Sequence, residues 1–314
     1  MKYVQNAVDI IIPTYKPDEK FIRLIELLEK QEYPVRNIYV VNTEKKYWDD
    51  CETKTGISSR YSNLQVSHIG ASMFDHGGTR KRAAQLSDAE FLVFMTQDAI
   101  PYDEKLIGEL IATLKSDAKI AATYARQLPS DGASVTEQYV RTFNYPEQSR
   151  VKDAGDLDEL GIKTYFCSNV CAAYRHDIYD DLGGFVSHTI FNEDMIYAAT
   201  AIKEGYRIGY TATGKVLHSH NYSPIQQLHR NFDLAVSQAE HPEVFEGIKS
   251  EGEGFKLVIN MYRYLVSIHK VYLMPGFVVN CGFRYLGFKL GHNYKKLPKS
   301  LIMWMTSNKA YWKD

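Results

Sequence analysis

The N-terminal half of the chain alternates short apolar runs with amphipathic stretches. Val8–Ile12 is a largely β-branched run and predicts a buried strand, ended by Pro13-Thr14-Tyr15-Lys16-Pro17. Asp18 is placed to cap a helix whose apolar face is Phe21, Ile22, Leu24, Ile25, Leu27 and Leu28, and Pro34 stops that helix. Further strands are predicted at Asn37–Val41, Leu64–Ile69, Phe91–Met95 and Ile120–Tyr124, with a basic helix start at Thr79–Leu86 and a helix at Glu104–Leu114. This alternation predicts an α/β fold with a mostly parallel central sheet and helices on both faces. In such sheets ligands bind beyond the carboxyl ends of the strands. Thr14-Tyr15, Asn42-Thr43 and Thr96-Gln97-Asp98 each stand at such an end.

The pattern then changes. Gln127–Gly161 is polar, contains Pro129, Gly132, Pro146 and Gly155, and has no strong period, which predicts a lid, a binding loop or an insertion. Tyr165–Tyr174 reads as a strand, Asn192–Lys203 as a helix and Arg207–Tyr210 as a strand. Beyond Ser223 the chain reads as helical, so residues 1–222 are expected to form the main domain and 223–314 a C-terminal helical extension.

Charge sharpens that division. The chain has 37 Lys/Arg and 38 Asp/Glu, a net charge of −1 that argues against a general nucleic-acid binder. From Phe255 onward there are ten Lys/Arg and a single acid, Asp314, so the acidic excess lies before Phe255 and the tail is basic. Lys256, Arg263 and Lys270 recur every seven residues beside Leu257, Val258, Met261, Tyr264 and Leu265, which predicts an amphipathic helix with a basic edge. Aromatics and cations continue to Trp312, the composition of a membrane-interface surface or, equally, of a helical subdomain or dimer interface with a basic rim. No run of eighteen uncharged apolar residues occurs, and a signal peptide is not expected. Cys51, Cys167, Cys171 and Cys281 lack the second pair of a zinc site and read as free thiols, as a reducing cytoplasm allows.

Several polar groups could carry chemistry. Asp98 is a carboxylate delivered to the ligand edge, where it could hold Mg²⁺ or Mn²⁺ against a diphosphate, or act as a turn residue before Pro101. Glu193-Asp194 opens a helix, where the dipole favours the ionised form; it is either a proton acceptor or an acidic cap. His218 and His220, two apart, share one side of an extended segment and are potential metal ligands or polar surface. Gly77-Gly78 with Arg80 could bring amides and a cation to a phosphate, or form a plain turn. Walker, GxGxxG and serine-elbow motifs are all absent.

In order, Pro13-Thr14-Tyr15, Gly77-Gly78-Thr79-Arg80, Gln97-Asp98-Ala99, Glu193-Asp194 and His218/His220 resemble the family-2 glycosyltransferases of GT-A fold, the Rossmann-like nucleotide-diphospho-sugar transferases. Phe74-Asp75-His76-Gly77-Gly78-Thr79-Arg80 with Thr96-Gln97-Asp98-Ala99 is similar to the bacterial rhamnosyltransferase branch. The likeness spans roughly Val8 to Tyr222. It implies that Thr14, Tyr15, Asn42, Gly77, Gly78, Arg80 and Gln97 bind the nucleotide-sugar donor, with Arg80 at its nucleotide end. It further implies that Asp98 with His218 or His220, His220 by preference, holds Mg²⁺ or Mn²⁺, and that Asp194 is the general base. Thr96 departs from the family by standing where the first acid of Asp-x-Asp usually stands.

The resemblance implies an inverting transfer of L-rhamnose from dTDP-β-L-rhamnose to a saccharide acceptor, lipid-linked, in bacterial surface polysaccharide synthesis. The location would be the cytoplasm, at the inner face of the membrane if the tail binds lipid. A different donor such as a UDP-hexose, and a non-catalytic glycan-binding scaffold, are the alternatives. A nucleotidyltransferase would need a glycine-rich phosphate loop where Pro13–Pro17 stands.

Overall fold

A computed structural model of the protein describes residues 2–247 and 253–312. Residues 248–252 of the expected helical region, and Lys313 and Asp314 of the basic tail, lie outside the described residues. The chain divides into two compact units, one of Met1–Leu128, Pro146–Thr189 and Glu193–His218, the other of Pro129–Tyr145, Ile190–Asn192 and Ser219–Asp314.

The first unit contains the sheet: β1 (Val4–Tyr15), β2 (Asn37–Thr43), β3 (Leu64–Ile69), β4 (Ala89–Met95), β5 (Ile100–Pro101), β6 (Ile120–Leu128), β7 (Arg150–Lys152), β8 (Cys171–Arg175) and β9 (Arg207–Leu217). The order is β3-β2-β1-β4-β8-β6-β9-β5, with β7 also on β9. β1 is parallel to β2 and β4, β2 to β3, and β6 to β9. β8 runs antiparallel between β4 and β6, while β5 and β7 run antiparallel to β9. The chain builds outward from β1 to β3 and then crosses back to β4 on the other side of β1. That reversal of order opens a crevice at the carboxyl ends of β1 and β4.

Alternation along the strands fills both faces of the sheet. Val8, Ile10 and Ile12 of β1 and Phe91, Val93 and Met95 of β4 share a core with Phe21, Leu24, Leu28, Leu106, Leu110 and Leu114 from the helices Glu19–Leu28 and Leu106–Ser116. On the opposite face Phe94 joins Tyr174, Tyr179, Phe185 and Tyr197, with ring centroids 4.8–5.9 Å apart. Asp18 caps the first helix, accepting from the amides of Lys20 and Phe21.

Gln127–Gly161, expected as a lid, a binding loop or an insertion without strong period, begins inside β6 and contains the helix Val135–Asn144 and strand β7. Two expectations change. Tyr165–Tyr174 is a strand only from Cys171. The preceding segment is held as a loop, because the buried Lys152 amine donates to the carbonyls of Lys163 (2.9 Å) and Phe166 (2.6 Å). Burial draws the Lys152 amine down to about 7. The strand foreseen at Arg207–Tyr210 continues to Leu217, past an irregularity opposite Ala125 and Arg126. All four cysteines are free thiols, as expected, three of them buried.

The second unit is helical. The helix Pro224–Glu240, begun by a Ser223–Gln226 capping box, packs along Met274–His292. A Cβ at Gly287 or Gly291 would overlap the carbonyl of Leu228 or Phe232, so glycine permits this close approach. Leu228, Phe232 and Val236 centre one core, with Ile302 and Met305 from Lys299–Met305. Leu257, Met261 and Leu265 of the helix Glu253–Ser267 centre another, with Phe277. Asp233 is buried and accepts from Thr306 Oγ1 (2.7 Å) and the Ser307 amide (2.8 Å), and burial pushes it up to about 6. Among the described residues no helix is long and apolar enough to cross a membrane.

Candidate active site

Thr14, Asn42 and His68 are register partners across the ends of β1, β2 and β3. Thr14 is buried and donates to the Ile12 carbonyl at 3.2 Å. Asn42 is fully buried; its Nδ2 donates to the Glu44 carbonyl at 3.1 Å and lies 3.2 Å from His68 Nδ1, while its Oδ1 has no partner among the described residues. Tyr15 is half exposed and meets Tyr47 edge-on at 5.2 Å, with the Lys16 ammonium over both rings at 5.2 and 5.1 Å. Two aromatic faces and a cation at a sheet edge suit a flat, anionic group such as a nucleotide. Gln97, also expected at the donor, is bonded to the backbone of Tyr15. Its amide accepts from Tyr15 N (2.8 Å) and donates to Tyr15 O (3.0 Å), tying the end of β4 to that of β1.

Asp98 follows β4, and His218 follows β9. His218 Nε2 lies 3.6 Å from Asp98 Oδ2, both in the first unit, and His220 follows two residues on at the start of the second. His218 Nδ1 is 3.0 Å from Gln127 Oε1, and Gln127 Nε2 donates to Ser168 Oγ at 3.0 Å. An amide oxygen only accepts, so with this orientation Nδ1 carries a proton, and when the ring is neutral Nε2 turns its lone pair toward the carboxylate. Two acceptors facing each other form a donor set for a cation, and Gln127 fixes the imidazole as an outer-sphere partner does for a metal-binding histidine.

Ser168 leads to the third group. The Asn169 amide donates to Asp194 Oδ2 at 2.9 Å, and its side-chain Nδ2 donates to Glu193 Oε1 at 3.1 Å. Tyr174 Oη donates to Asn169 Oδ1 at 2.8 Å, which fixes the amide's orientation. The Met195 amide donates to Asp194 Oδ1 at 2.8 Å. Burial, then the neighbouring Glu193 charge, pushes Asp194 up to about 7, against the pull of the two amides and Arg80. The dipole argument alone had favoured its ionised form at low pH; desolvation dominates. For Glu193 burial works upward, but Arg80 and then His76 reverse it, and the acid is held below its ordinary range.

Arg80, expected at the nucleotide end of the donor, is engaged within the protein. It is buried, pairs with Glu193 at 3.1 Å and donates to the His76 carbonyl at 2.9 Å, with Nε unpartnered among the described residues. Gly77 and Gly78, expected at the donor, are likewise bonded within the protein. Their amides donate to Asp75 at 3.2 and 3.0 Å rather than to a phosphate, and Asp75 also accepts from the amides of His188 (2.7 Å) and Thr189 (3.2 Å). A Cβ at Gly77 would overlap the Val186 carbonyl, and one at Gly78 the Asp75 carboxylate. The Asp-His-Gly-Gly-Thr-Arg run therefore locks the helix His76–Ala84 against the loop before Glu193.

Sequence reasoning missed Asn169, Gln127 and Asp75 as parts of the site. Asn169 leaves only a weak signal, a Ser-Asn pair interrupting an apolar run. Asp75 was visible within its motif, but the four amides it gathers were not.

The family model for glycosyl transferase family 2 matches residues 9–183. The chain is 35% identical over 311 residues to the O-antigen chain rhamnosyltransferase RfbN of Salmonella typhimurium, covering 98% of this chain and 96% of that protein. It is 36% identical to the O-antigen chain rhamnosyltransferase WbaN of Salmonella anatum, covering 97% and 95%. Among solved structures it is similar to the mannosyltransferase PcManGT from Pyrobaculum calidifontis in complex with GDP-Man and Mn²⁺. That match has a TM-score of 0.62 and 12% identity over 92% of this chain and 88% of that one. S. aureus TarS 1-349 gives a TM-score of 0.51 and 14% identity over 92% and 91%. At such identities the structural likeness shows the fold, which is the expected GT-A arrangement.

Proposed function

The chain belongs to glycosyl transferase family 2 and is a glycosyltransferase; from that premise we propose that it transfers L-rhamnose from dTDP-β-L-rhamnose to a saccharide acceptor of a bacterial O-antigen-type polysaccharide. The sugar assignment is supported by the full-length similarity to two rhamnosyltransferases. The observation that carries the chemistry is one continuous run, from Asp98 through His218, Gln127 and Ser168 to Asn169 and Asp194. It joins a cation's donor set to a carboxylate with the affinity of a base.

Asp194 would take the proton from the acceptor hydroxyl as that oxygen attacks the anomeric carbon opposite the leaving diphosphate, giving an α-L-rhamnoside by inversion. With its affinity near 7, Asp194 suits proton transfer close to neutrality. Asn169 and the Arg80–Glu193 pair would hold it in place. Asp98, His218 and His220 would bind Mg²⁺ or Mn²⁺, which when bound offsets charge on the donor's diphosphate. Thr14, Tyr15 and Asn42 would line the nucleotide, with Lys16 and Tyr47 beside them.

The test is product analysis with dTDP-β-L-rhamnose, Mn²⁺ and defined acceptors, with UDP-hexoses in parallel. A new α-L-rhamnoside is expected. Turnover of a UDP-hexose with dTDP-rhamnose untouched would overturn the donor assignment and leave glycosyl transfer standing.

A lipid-linked acceptor would draw the enzyme to the inner membrane face. In support, the helix Glu253–Ser267 buries Leu257, Met261 and Leu265 yet exposes Phe255, Ile259, Tyr262 and Val266 beside Lys256 and Arg263. Phe255→Glu with Tyr262→Glu should abolish flotation with anionic vesicles. Unchanged flotation, with a dimer dissociating instead, would make this stripe a subunit contact.

A further inference from the structure

Lys152 is a buried amine that the transfer chemistry leaves without a task. It ends β7, is the register partner of Ile208 in β9, and is only 4% exposed. Its amine donates to the carbonyls of Lys163 (2.9 Å) and Phe166 (2.6 Å) and lies 5.2 Å over the ring of Tyr124 and 5.9 Å over that of Phe166. The acids that follow it in the chain are taken, Asp156 by Arg150 and Asp153 by Arg207. A buried amine is costly to the fold, and an apolar side chain would fill the same space. What lysine adds is direction. Its N–H bonds to two carbonyls set the course of the main chain from Lys163 to Phe166.

The next residues on that course are the ones that join the two halves of the site. Ser168 Oγ accepts from Gln127, whose amide oxygen faces His218 Nδ1. Asn169 gives its amide to Asp194 and its side chain to Glu193. The Val170 carbonyl accepts from the Thr96 amide, and at Cys171 the chain enters β8, in register with Met95 of β4. Residues 167–170 therefore run between two anchors, the sheet on one side and the Lys152 amine on the other.

We propose that Lys152 is a positioning residue for glycosyl transfer: through the carbonyls of Lys163 and Phe166 it sets the loop that presents Asn169 to Asp194 and Ser168 to the Gln127–His218 pair. In this role, which rests on the reading of Asp194 as the base, Lys152 acts at a distance from donor and acceptor.

Lys152→Met, in the full chain, keeps most of the bulk and removes the donors. It should melt within about 2 °C of the parent, because a costly buried amine and its two hydrogen bonds are lost together. With dTDP-β-L-rhamnose, Mn²⁺ and a defined acceptor, kcat should fall about tenfold or more while KM for the donor stays within about twofold. The midpoint of kcat/KM against pH should drop below the parent's, because burial is the largest influence holding Asp194 up and a displaced loop admits water to it. In the unliganded chain, hydrogen exchange read by mass spectrometry should quicken about tenfold or more over residues 166–171 and stay unchanged in the helix Leu106–Ser116. Lys152→Gln, close in size to the Met variant but with an N–H donor group, should lie between it and the parent in rate and exchange. Should Lys152→Met fail to fold, Lys152→Gln against the parent supplies the same contrasts. Parent-like exchange over residues 166–171 in the folded variant, or a parent-like kcat or pH midpoint, overturns the role. So does a lowered melting temperature with exchange quickened throughout the first unit, which would make Lys152 a general stabiliser. Exchange needs no donor: if the parent leaves dTDP-rhamnose untouched, the donor assignment fails and the exchange contrast alone decides the role of Lys152.

Discussion

Asp194 begins a helix, and position alone would make it a strong acid. Its surroundings make it a weak one, and this has two measurable consequences. As a base it must be ionised, so kcat/KM should rise with pH through about 7 and level above it. Asp194→Asn should lower kcat by about 10²–10⁴ with donor affinity retained in calorimetry. The stability effect has the opposite sense. The folded state holds this proton up to about 7 and the unfolded chain only to 3.8, so stability falls as pH rises through that window. At pH 8 the Asn variant should therefore melt about 2–4 °C higher than the parent, and below pH 4 the difference should vanish. The acidic pair was readable in the sequence. The direction of its shift was not, because desolvation depends on Asn169, Arg80 and the packing that brings them from distant positions. Asn169→Ala removes the side-chain bond to Glu193 while keeping the amide bond to Asp194. We expect a loss of about 1–3 kcal/mol in denaturant unfolding, and a moved pH–rate midpoint that simple destabilisation would not produce.

At the scale of elements, the β-branched and aromatic runs were legible because buried strands need little else. The helix Lys45–Thr55 was not, since it is polar almost throughout and buries only Trp48 and Cys51. The loop before Cys171 was misread as strand for the reverse reason: its residues are apolar, but Lys152 from β7 occupies its carbonyls. The helix His76–Ala84 shows how a motif can be visible while its mechanics are hidden. Its glycines read as phosphate ligands, yet they make room for Val186 and Asp75. Gly77→Ala should therefore destabilise the fold by about 1–3 kcal/mol in urea titrations and reduce transfer through displacement of Glu193. Arg80→Lys, which cannot reproduce a guanidinium pair, should lower kcat more than it raises KM for the donor.

For the molecule as a whole, the sheet order decides which distant residues meet. Asp98, Gln127 and His218 come from the exits of three strands, and sequence order alone gave Asp98 and the histidines while leaving Gln127 in an unassigned stretch. Chelation should abolish transfer, with Mn²⁺ restoring it, and Asp98→Ala should lose the cation-dependent part of nucleotide binding in calorimetry. Gln127→Ala should weaken Mn²⁺ affinity about 10–100-fold without removing a ligand. The basic tail was legible as amphipathic helix, but which of its apolar stripes is buried required the packing around Leu257 and Met261.

Lys152 gives the molecule a built-in reporter. With its proton affinity near 7, the amine is largely neutral at mild alkaline pH and would be a good nucleophile, yet two main-chain carbonyls and the ring of Tyr124 enclose it. An acylating reagent can reach it only when the span from Lys163 to Phe166 lifts away, so the labelling rate at this lysine counts those openings, and a ligand that tightens Asn169 should slow the clock.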